Sequence, residues 1–226
     1  MAYLGTYPIG VDQNKYLEDD VLSQIEQAEN QTGKLSMDAW AKWNYQQGSK
    51  IRVVCYTNAA KAQLVLNGKK IGKAKPYNTN TGIIHWDIPF EAGKLEVVGL
   101  DKNNKETARY AINTPQQAYA IKITEADSKI EKNGGVAQIR LQIVDKNGVR
   151  VAHANNEILC NVTGPGELLG LEAGNNVDMG DYTDNKQKAY KGMLTAYIRA
   201  TGSLGDIKVE LTAKGIKGEK VNVVVY

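Results

Sequence analysis

The stretch VVCYTNAAKAQLVLNGKKIG, from Val53 to Gly72, decides the predicted fold of this chain. It contains two strand-like segments and an Asn-Gly turn at 67–68. In the segment before the turn, one face carries Ala62, Leu64 and Leu66. Asn-Gly beside alternating runs is the strongest short-range hairpin signal, because both turn residues take a positive φ. The stretch therefore predicts half-buried β-structure closed by a tight turn.

The chain from residue 48 onward is predicted to form two series of short strands, bounded by Gly, Asn, Pro or Lys clusters. The first series covers 51–57, 62–67, 82–88, 94–101 and 106–113. The second series covers 118–124, 136–144, 157–162, 193–201, 207–213 and 221–226. Pro115 lies between the series and interrupts strand pairing, so a domain boundary is expected there. Turn signals at this spacing are typical of immunoglobulin-like sandwiches, which we predict at 48–114 and 115–226.

Residues 1–47 differ from the strand-rich remainder. From Tyr16 to Asn30 apolar residues recur at helical spacing, which predicts an amphipathic helix of about four turns. A second helical turn is predicted at 36–43. The predicted fold class is therefore all-β, with two immunoglobulin-like β-sandwich domains in tandem after a short, partly helical lead.

The composition is that of a folded globular chain. Of 226 residues, 42% are hydrophobic and 23% are charged, and the formal net charge is +3. That charge is too small to indicate nucleic acid as a partner. No run approaches the ~20 apolar residues of a membrane span. The N-terminus has no signal-peptide pattern, so neither a span nor a signal peptide is expected in this chain.

The charges are unevenly distributed. No Asp or Glu occurs from Ala39 to Trp86, and no Lys or Arg occurs from Val151 to Asn185. Lysines that decorate solvated hairpin edges would account for the basic stretch. The other interpretation is that a basic face and an acidic face dock against neighbouring domains.

Cysteine and carboxylate spacing gives weak signals for metals and cofactors. Cys55 and Cys160 lie in separate predicted domains, within apolar strands, which favours two buried thiols over a disulfide. Neither shows metal-ligand spacing, and no cofactor is expected. Asp178, Asp181 and Asp184 have the oxygen ligands that Ca²⁺ prefers. They lack the order of an EF-hand, so a solvated polar loop is the competing interpretation.

Aromatic residues suggest one candidate site for carbohydrate, because the C–H face of a pyranose packs on an aromatic ring. The candidate contacts are Trp40, Trp43, Tyr77 and Trp86. Core packing or contact between domains is the alternative for all four. Alternation along the strand places Trp86 on the face opposite its polar neighbours, which predicts a core position for this residue.

Four further motifs follow the Asn-Gly stretch in a fixed order. They are VDKNGVRV at 144–151, GPGELLG at 164–170, KAYKG at 188–192 and AYIRATG at 196–202. Together with YTN and LNGK in the first stretch, they resemble the C-terminal immunoglobulin-like β-sandwich accessory domains of glycoside hydrolase family 2 enzymes, especially bacterial β-galactosidases. The resemblance covers residues 43–226. It departs from the family pattern at 153–155 and at 175–184.

The resemblance implies a non-catalytic C-terminal region whose partner is the catalytic barrel of the parent enzyme. By the same resemblance, such a region is expected to brace the barrel, shape the substrate cleft or mediate oligomer contacts, and the parent enzyme is expected to be periplasmic or secreted, although this chain itself carries no signal for a compartment. The two catalytic carboxylates of this family lie on a barrel of about 250 residues, for which this chain offers no pattern. No catalytic residue is therefore assigned here.

A second hypothesis comes from a different class of protein. Bacterial immunoglobulin-like adhesion modules share parts of the same motifs. The alternative function is a free-standing adhesion or carbohydrate-binding module.

Overall fold

The computed structural model describes residues 1–9 and 39–226, and every regular element in them is a β-strand. The all-β prediction is confirmed. The chain divides into two compact units, Met1–Thr114 and Pro115–Tyr226. In the described part of the chain, no helix has the length and apolar character needed to cross a membrane.

The first unit contains seven described strands in two antiparallel sheets. The strands are β1 (Ala2–Pro8), β2 (Lys50–Thr57), β3 (Lys61–Leu66), β4 (Lys69–Pro76), β5 (Ile84–Pro89), β6 (Lys94–Leu100) and β7 (Glu106–Asn113). One sheet has the order β1-β2-β5, and the other has the order β4-β3-β6-β7. Strands β4 and β5 are therefore each at an edge of their own sheet.

The core of the first unit lies between these two sheets. Leu4, Val53 and Trp86 come from the first sheet, Leu64 and Val97 come from the second, and all belong to one buried cluster. Burying one such side chain contributes about 1.5–3 kcal/mol, so the shared core holds the sheets together. Trp86 is 4% exposed, as alternation along its strand predicts.

The β3–β4 turn confirms the Asn-Gly prediction. Asn67 has φ 51° and Gly68 has φ 79°. The Asn67 side chain also ties the turn to a neighbouring loop, because its Nδ2 donates to the Ala92 carbonyl at 3.0 Å and its Oδ1 accepts from the Lys94 N–H at 2.8 Å. Asn67 therefore supplies both the backbone conformation and the anchor.

The β3–β4 hairpin is irregular, and its outer strand is strongly basic. The register shifts between Ala62 and Leu64. The Gln63 side chain is buried at the shift, and its Nε2 donates to the Leu64, Ile71 and Gly72 carbonyls. The outer strand carries four exposed lysines, Lys69, Lys70, Lys73 and Lys75.

The prediction of a helical lead is wrong where the structure describes that segment. Strand β1 pairs with β2, and residues 39–43 form no helical turn, with Trp40 in a bridge to Thr6. The physical reason is that the free edge of β1 needs hydrogen-bond partners, which Trp40 supplies with an N–H···O distance of 2.9 Å from Thr6. The predicted helix from Tyr16 to Asn30 lies outside the described residues.

The second unit contains nine strands. They are β8 (Ala120–Ala126), β9 (Lys129–Ile130), β10 (Val136–Val144), β11 (Glu157–Thr163), β12 (Gly166–Glu172), β13 (Lys186–Lys188), β14 (Met193–Ala200), β15 (Gly205–Ala213) and β16 (Ile216–Val225). The order is β12-β14-β10-β8-β16-β15-β11-β13, with β9 paired to β16. Alternate residues of β10, β14 and β15, such as Leu141, Ile198 and Val209, form one buried cluster.

Both cysteines are free and buried, Cys55 in the first unit and Cys160 in the second. The prediction of two buried thiols is confirmed. Burial raises the pKa of Cys55 to about 12 and that of Cys160 to about 11. Both thiols therefore stay protonated and unreactive at neutral pH.

Candidate functional site

Two of the four candidate aromatic residues lie in the core. Trp43 is 1% exposed, and its ring centroid is 5.0 Å from that of Phe90. Its Nε1 donates to the Glu91 carbonyl at 2.9 Å. Trp86 is equally buried, but its Nε1 has no hydrogen-bond partner, the one such buried side-chain atom in the described part of the chain. Neither ring is open to a ligand.

The other two aromatic candidates are exposed, but they lie on different elements. Trp40 is 45% exposed and pairs with the edge of β1. Tyr77 is 38% exposed and follows β4 directly. The four residues therefore do not form the single aromatic face that the sequence suggested.

Tyr77 lines a surface depression between the edge strands of the two sheets in the first unit. Its volume is about 360 Å³. The lining includes Lys75, Tyr77, Asn78, Thr79, Ile83 and His85. We call this feature the β4–β5 depression. Sequence reasoning found only Tyr77, although the Asn- and Thr-rich run after it was a signal for exposed polar groups.

Lys75 connects the two edges of the depression. Its Nζ donates to the His85 carbonyl at 2.7 Å and lies 5.6 Å from the centroid of the Trp86 ring. The ammonium group thus satisfies an edge carbonyl of β5 and lies over a buried aromatic face, where a cation is stabilised. Its remaining N–H donors are available at the surface.

The loop beside Tyr77 is held by its own backbone. The Tyr77 N–H donates to the Ala60 carbonyl at 2.9 Å. Asn78 Oδ1 accepts from the Asn80 N–H at 2.9 Å, and the Asn78 carbonyl accepts from the Gly82 N–H at 2.8 Å. These bonds preform the loop, so a ligand would not have to order it.

The charges around the depression are paired on one side only. Arg52 and Asp87 form a bidentate pair at 2.8 and 3.0 Å, which lowers the pKa of Asp87. Partial burial, assisted by the positive charge of Arg52, lowers the pKa of His85. At neutral pH His85 is therefore an uncharged imidazole, and Lys75 is the cation that lines the depression.

The acidic run offers no assembled metal site. Asp178 Oδ1 accepts from the Gly180 N–H at 3.0 Å, and Asp181 Oδ1 accepts from the Thr183 N–H at 2.8 Å. Both carboxylates stabilise their own turns. Within residues 1–9 and 39–226, no group of three or more His, Cys, Asp or Glu side chains could hold a metal ion.

The shared sequence motifs close turns and pack loops. The Asp145 carboxylate is 2% exposed and accepts from the backbone N–H groups of Gln116, Asn147 and Val149 at 2.8, 2.8 and 2.9 Å. Burial opposes ionisation of Asp145, but these three donors outweigh it and lower the pKa. In the GPGELLG motif, Gly164 has φ 94°, and a Cβ there would lie 2.3 Å from the Asp206 carbonyl oxygen.

Family models match both units. Residues 121–222 match the model described as glycoside hydrolase family 2 C-terminal domain 5. Residues 48–108 match a domain of unknown function, DUF4982.

Two curated relatives are similar over most of this chain. The β-galactosidase BoGH2A of Bacteroides ovatus is 28% identical over 188 residues, which is 82% of this chain and 22% of that protein. A putative β-glucuronidase of Formosa agariphila is 28% identical over 166 residues, which is 71% of this chain and 16% of that protein. The chain thus spans about a fifth of the length of the relatives it matches.

Solved structures share the fold. A glycosyl hydrolase family 2 member from Bacteroides cellulosilyticus matches with a TM-score of 0.85 over 100% of this chain and 28% of that chain, at 20% identity. A β-glycosidase from Bacteroides vulgatus matches with a TM-score of 0.75 over 81% of this chain and 24% of that chain, at 25% identity. The family model and the relatives show that this chain is similar to the C-terminal region of glycoside hydrolase family 2 enzymes, and the solved structures share its fold.

Proposed function

We propose that this chain is the non-catalytic C-terminal region of a β-galactosidase-like enzyme that acts in carbohydrate metabolism. The observation that carries the proposal is that residues of the family motifs have structural roles. Asn67, Asp145 and Gly164 are committed to backbone hydrogen bonds, positive φ angles and close packing. A retaining glycosidase needs two carboxyl groups about 5–5.5 Å apart, and the proposal leaves that pair to a separate barrel.

The proposed role of the two units is to brace the catalytic barrel or to contribute to substrate and oligomer contacts. We assign each unit to the immunoglobulin-like sandwich class. Two antiparallel sheets around a main buried cluster in the first unit, and mostly antiparallel strands around one buried cluster in the second, support that assignment. Preformed, hydrogen-bonded turns support a bracing role, because a domain that supports the barrel must keep its own conformation.

The first experiment measures hydrolysis by the purified chain. We expect no turnover of chromogenic galactosides, glucuronides or mannosides. Measurable turnover that disappears on substitution of a single Glu within this chain would overturn the proposal.

The second experiment reads the gene upstream of Met1. A (β/α)₈ barrel encoded there supports the accessory role, and the barrel should lose thermal stability when this region is deleted. A signal peptide or further immunoglobulin-like repeats directly upstream, with no barrel encoded between them and this region, would contradict it. Those findings would favour the second candidate, a free-standing adhesion or carbohydrate-binding module, for which the exposed Tyr77 ring is the supporting observation.

A further inference from the structure

We propose that the β4–β5 depression binds an anionic saccharide, with the sugar ring against Tyr77 and the anionic group beside Lys75. The proposal concerns the first unit alone. It holds whether the parent protein is a glycosidase or an adhesion protein, so it goes beyond the proposed function.

The size of the depression suits one sugar residue of a longer chain. Its volume of about 360 Å³ lies near the lower end of the range of about 300–1,000 Å³ found for ligand sites. It is open to solvent, and therefore neighbouring sugar residues of an oligosaccharide can extend beyond it. The buried side chain of Ile83 gives it an apolar lining.

Tyr77 provides the aromatic surface. Its ring is 38% exposed, while its backbone N–H is bonded to the Ala60 carbonyl. A ring held in this way binds the C–H face of a pyranose without losing much side-chain entropy, because Tyr has few rotatable bonds.

Polar groups next to Tyr77 match the hydroxyls of a sugar. Asn78 uses its Oδ1 to hold the loop, and its Nδ2 has no hydrogen bond in the described part of the chain. The hydroxyl of Thr79 is likewise unpaired among the described residues, and both side chains line the depression. The Asn78 amide supplies a hydrogen-bond donor, and the Thr79 hydroxyl supplies a group that can donate or accept.

The charge of the depression selects an anion. None of its lining residues is acidic, and no Asp or Glu occurs from Ala39 to Trp86. The carboxylate nearest in sequence, Asp87, is already bonded to Arg52. Among the described residues, Lys75 uses one of its three N–H donors, which leaves the others for a carboxylate or a sulfate ester.

The test measures binding of the whole chain to oligogalacturonate and to neutral galacto-oligosaccharides of the same length by titration calorimetry. We expect binding of oligogalacturonate that weakens at least about fivefold in Tyr77→Ala and in Lys75→Gln. The matched controls are Lys70→Gln, an exposed lysine on the same strand, and Tyr119→Ala, a 46% exposed tyrosine of the second unit. Both controls should stay within about twofold of the parent chain.

Three outcomes would overturn the proposal. They are no binding of oligogalacturonate at millimolar concentration, an equal loss of binding in Lys70→Gln, and equally tight binding of the neutral sugar. If Lys75→Gln lowers the stability of the chain, the proposal is judged on Tyr77→Ala alone. That variant removes an exposed ring and should therefore leave the fold intact. A sulfated galactan used in parallel distinguishes carboxylate from sulfate ester as the preferred anion. None of these results bears on the absence of hydrolysis.

Discussion

The two buried tryptophans of the first unit offer a direct test of the hydrogen bonding in its core. In Trp43→Phe and Trp86→Phe, the same part of the indole ring is removed from a fully packed site. Trp43 donates to the Glu91 carbonyl, whereas the Trp86 N–H is buried without an acceptor. Both variants therefore lose a similar amount of packing. The change in hydrogen bonding destabilises Trp43→Phe and stabilises Trp86→Phe.

The magnitudes decide the order of stability. Loss of the Trp43 bond costs about 0.5–1.5 kcal/mol, and removal of the unpaired Trp86 donor relieves a penalty of about 1–3 kcal/mol. Phe keeps part of the interaction with the Lys75 ammonium, so that loss stays below about 1 kcal/mol. The two hydrogen-bond terms add, and the Lys75 term offsets part of the sum, so we expect Trp43→Phe to be the less stable variant by about 0.5–4.5 kcal/mol. Trp86→Ala, which removes the whole ring, should cost about 3–5 kcal/mol.

The assay is urea unfolding followed by tryptophan fluorescence. All three tryptophans, Trp40, Trp43 and Trp86, lie in the first unit, so the signal reports that unit even if the second unfolds separately. Each variant keeps two of them as probes, and an unchanged m-value shows that the same transition is compared. Equal midpoints for the two Phe variants, or a lower midpoint for Trp86→Phe, would refute the reasoning.

Three further predictions concern the second unit and the thiols. Asp145→Asn keeps an acceptor for the turn but loses the one for the Gln116 N–H, and thermal unfolding should show a loss of about 1–3 kcal/mol. Because the pKa of Asp145 is lowered, its contribution is complete above the unfolded value of about 3.9 and is lost as the pH falls below it, so the Asn variant should show a flatter acid dependence. Gly164→Ala should destabilise by more than about 2 kcal/mol, against about 1 kcal/mol for Gly215→Ala, where φ is also positive but no atom lies within 4 Å; similar losses would contradict the packing argument. Neither cysteine should react with a thiol reagent at pH 8 before denaturant is added, and a fast native reaction would show that the thiols are accessible.

Alternation predicts best the strands that have one buried face. In β5 and β10, buried and exposed residues alternate clearly enough to place the strands, and the Asn-Gly turn marks where a hairpin closes. Strand β1 was missed because both of its faces are covered. Leu4 lies in the main core, and on the opposite face a Cβ at Gly5 would lie 2.7 Å from the Ala39 side chain. A strand buried on both faces shows no alternation.

Strands β12 and β13 of the second unit escaped prediction for the opposite reason. Strand β13 has three residues, and most residues of β12 are only half-buried. Such strands are defined by their hydrogen bonds to a neighbouring strand. The hydrophobic pattern of a short segment carries no information about a partner strand that is distant in sequence. The same limit applies to Trp43, whose burial depends on Phe90 and Glu91 from a distant part of the chain.

The register shift of the β3–β4 hairpin has a consequence for concentrated solutions of this protein. A straight edge strand exposes a row of N–H and C=O groups on which another copy can add a strand. Register shifts of this kind bend a strand, and here the Gln63 amide also donates to the Ile71 and Gly72 carbonyls of the outer strand. Two copies approaching through this edge would also bring their lysines together. The register shift and the lysines thus protect the chain from edge-to-edge association. Removing both the Gln63 amide and the lysine charges should convert the dispersed protein into fibrils or extended sheets.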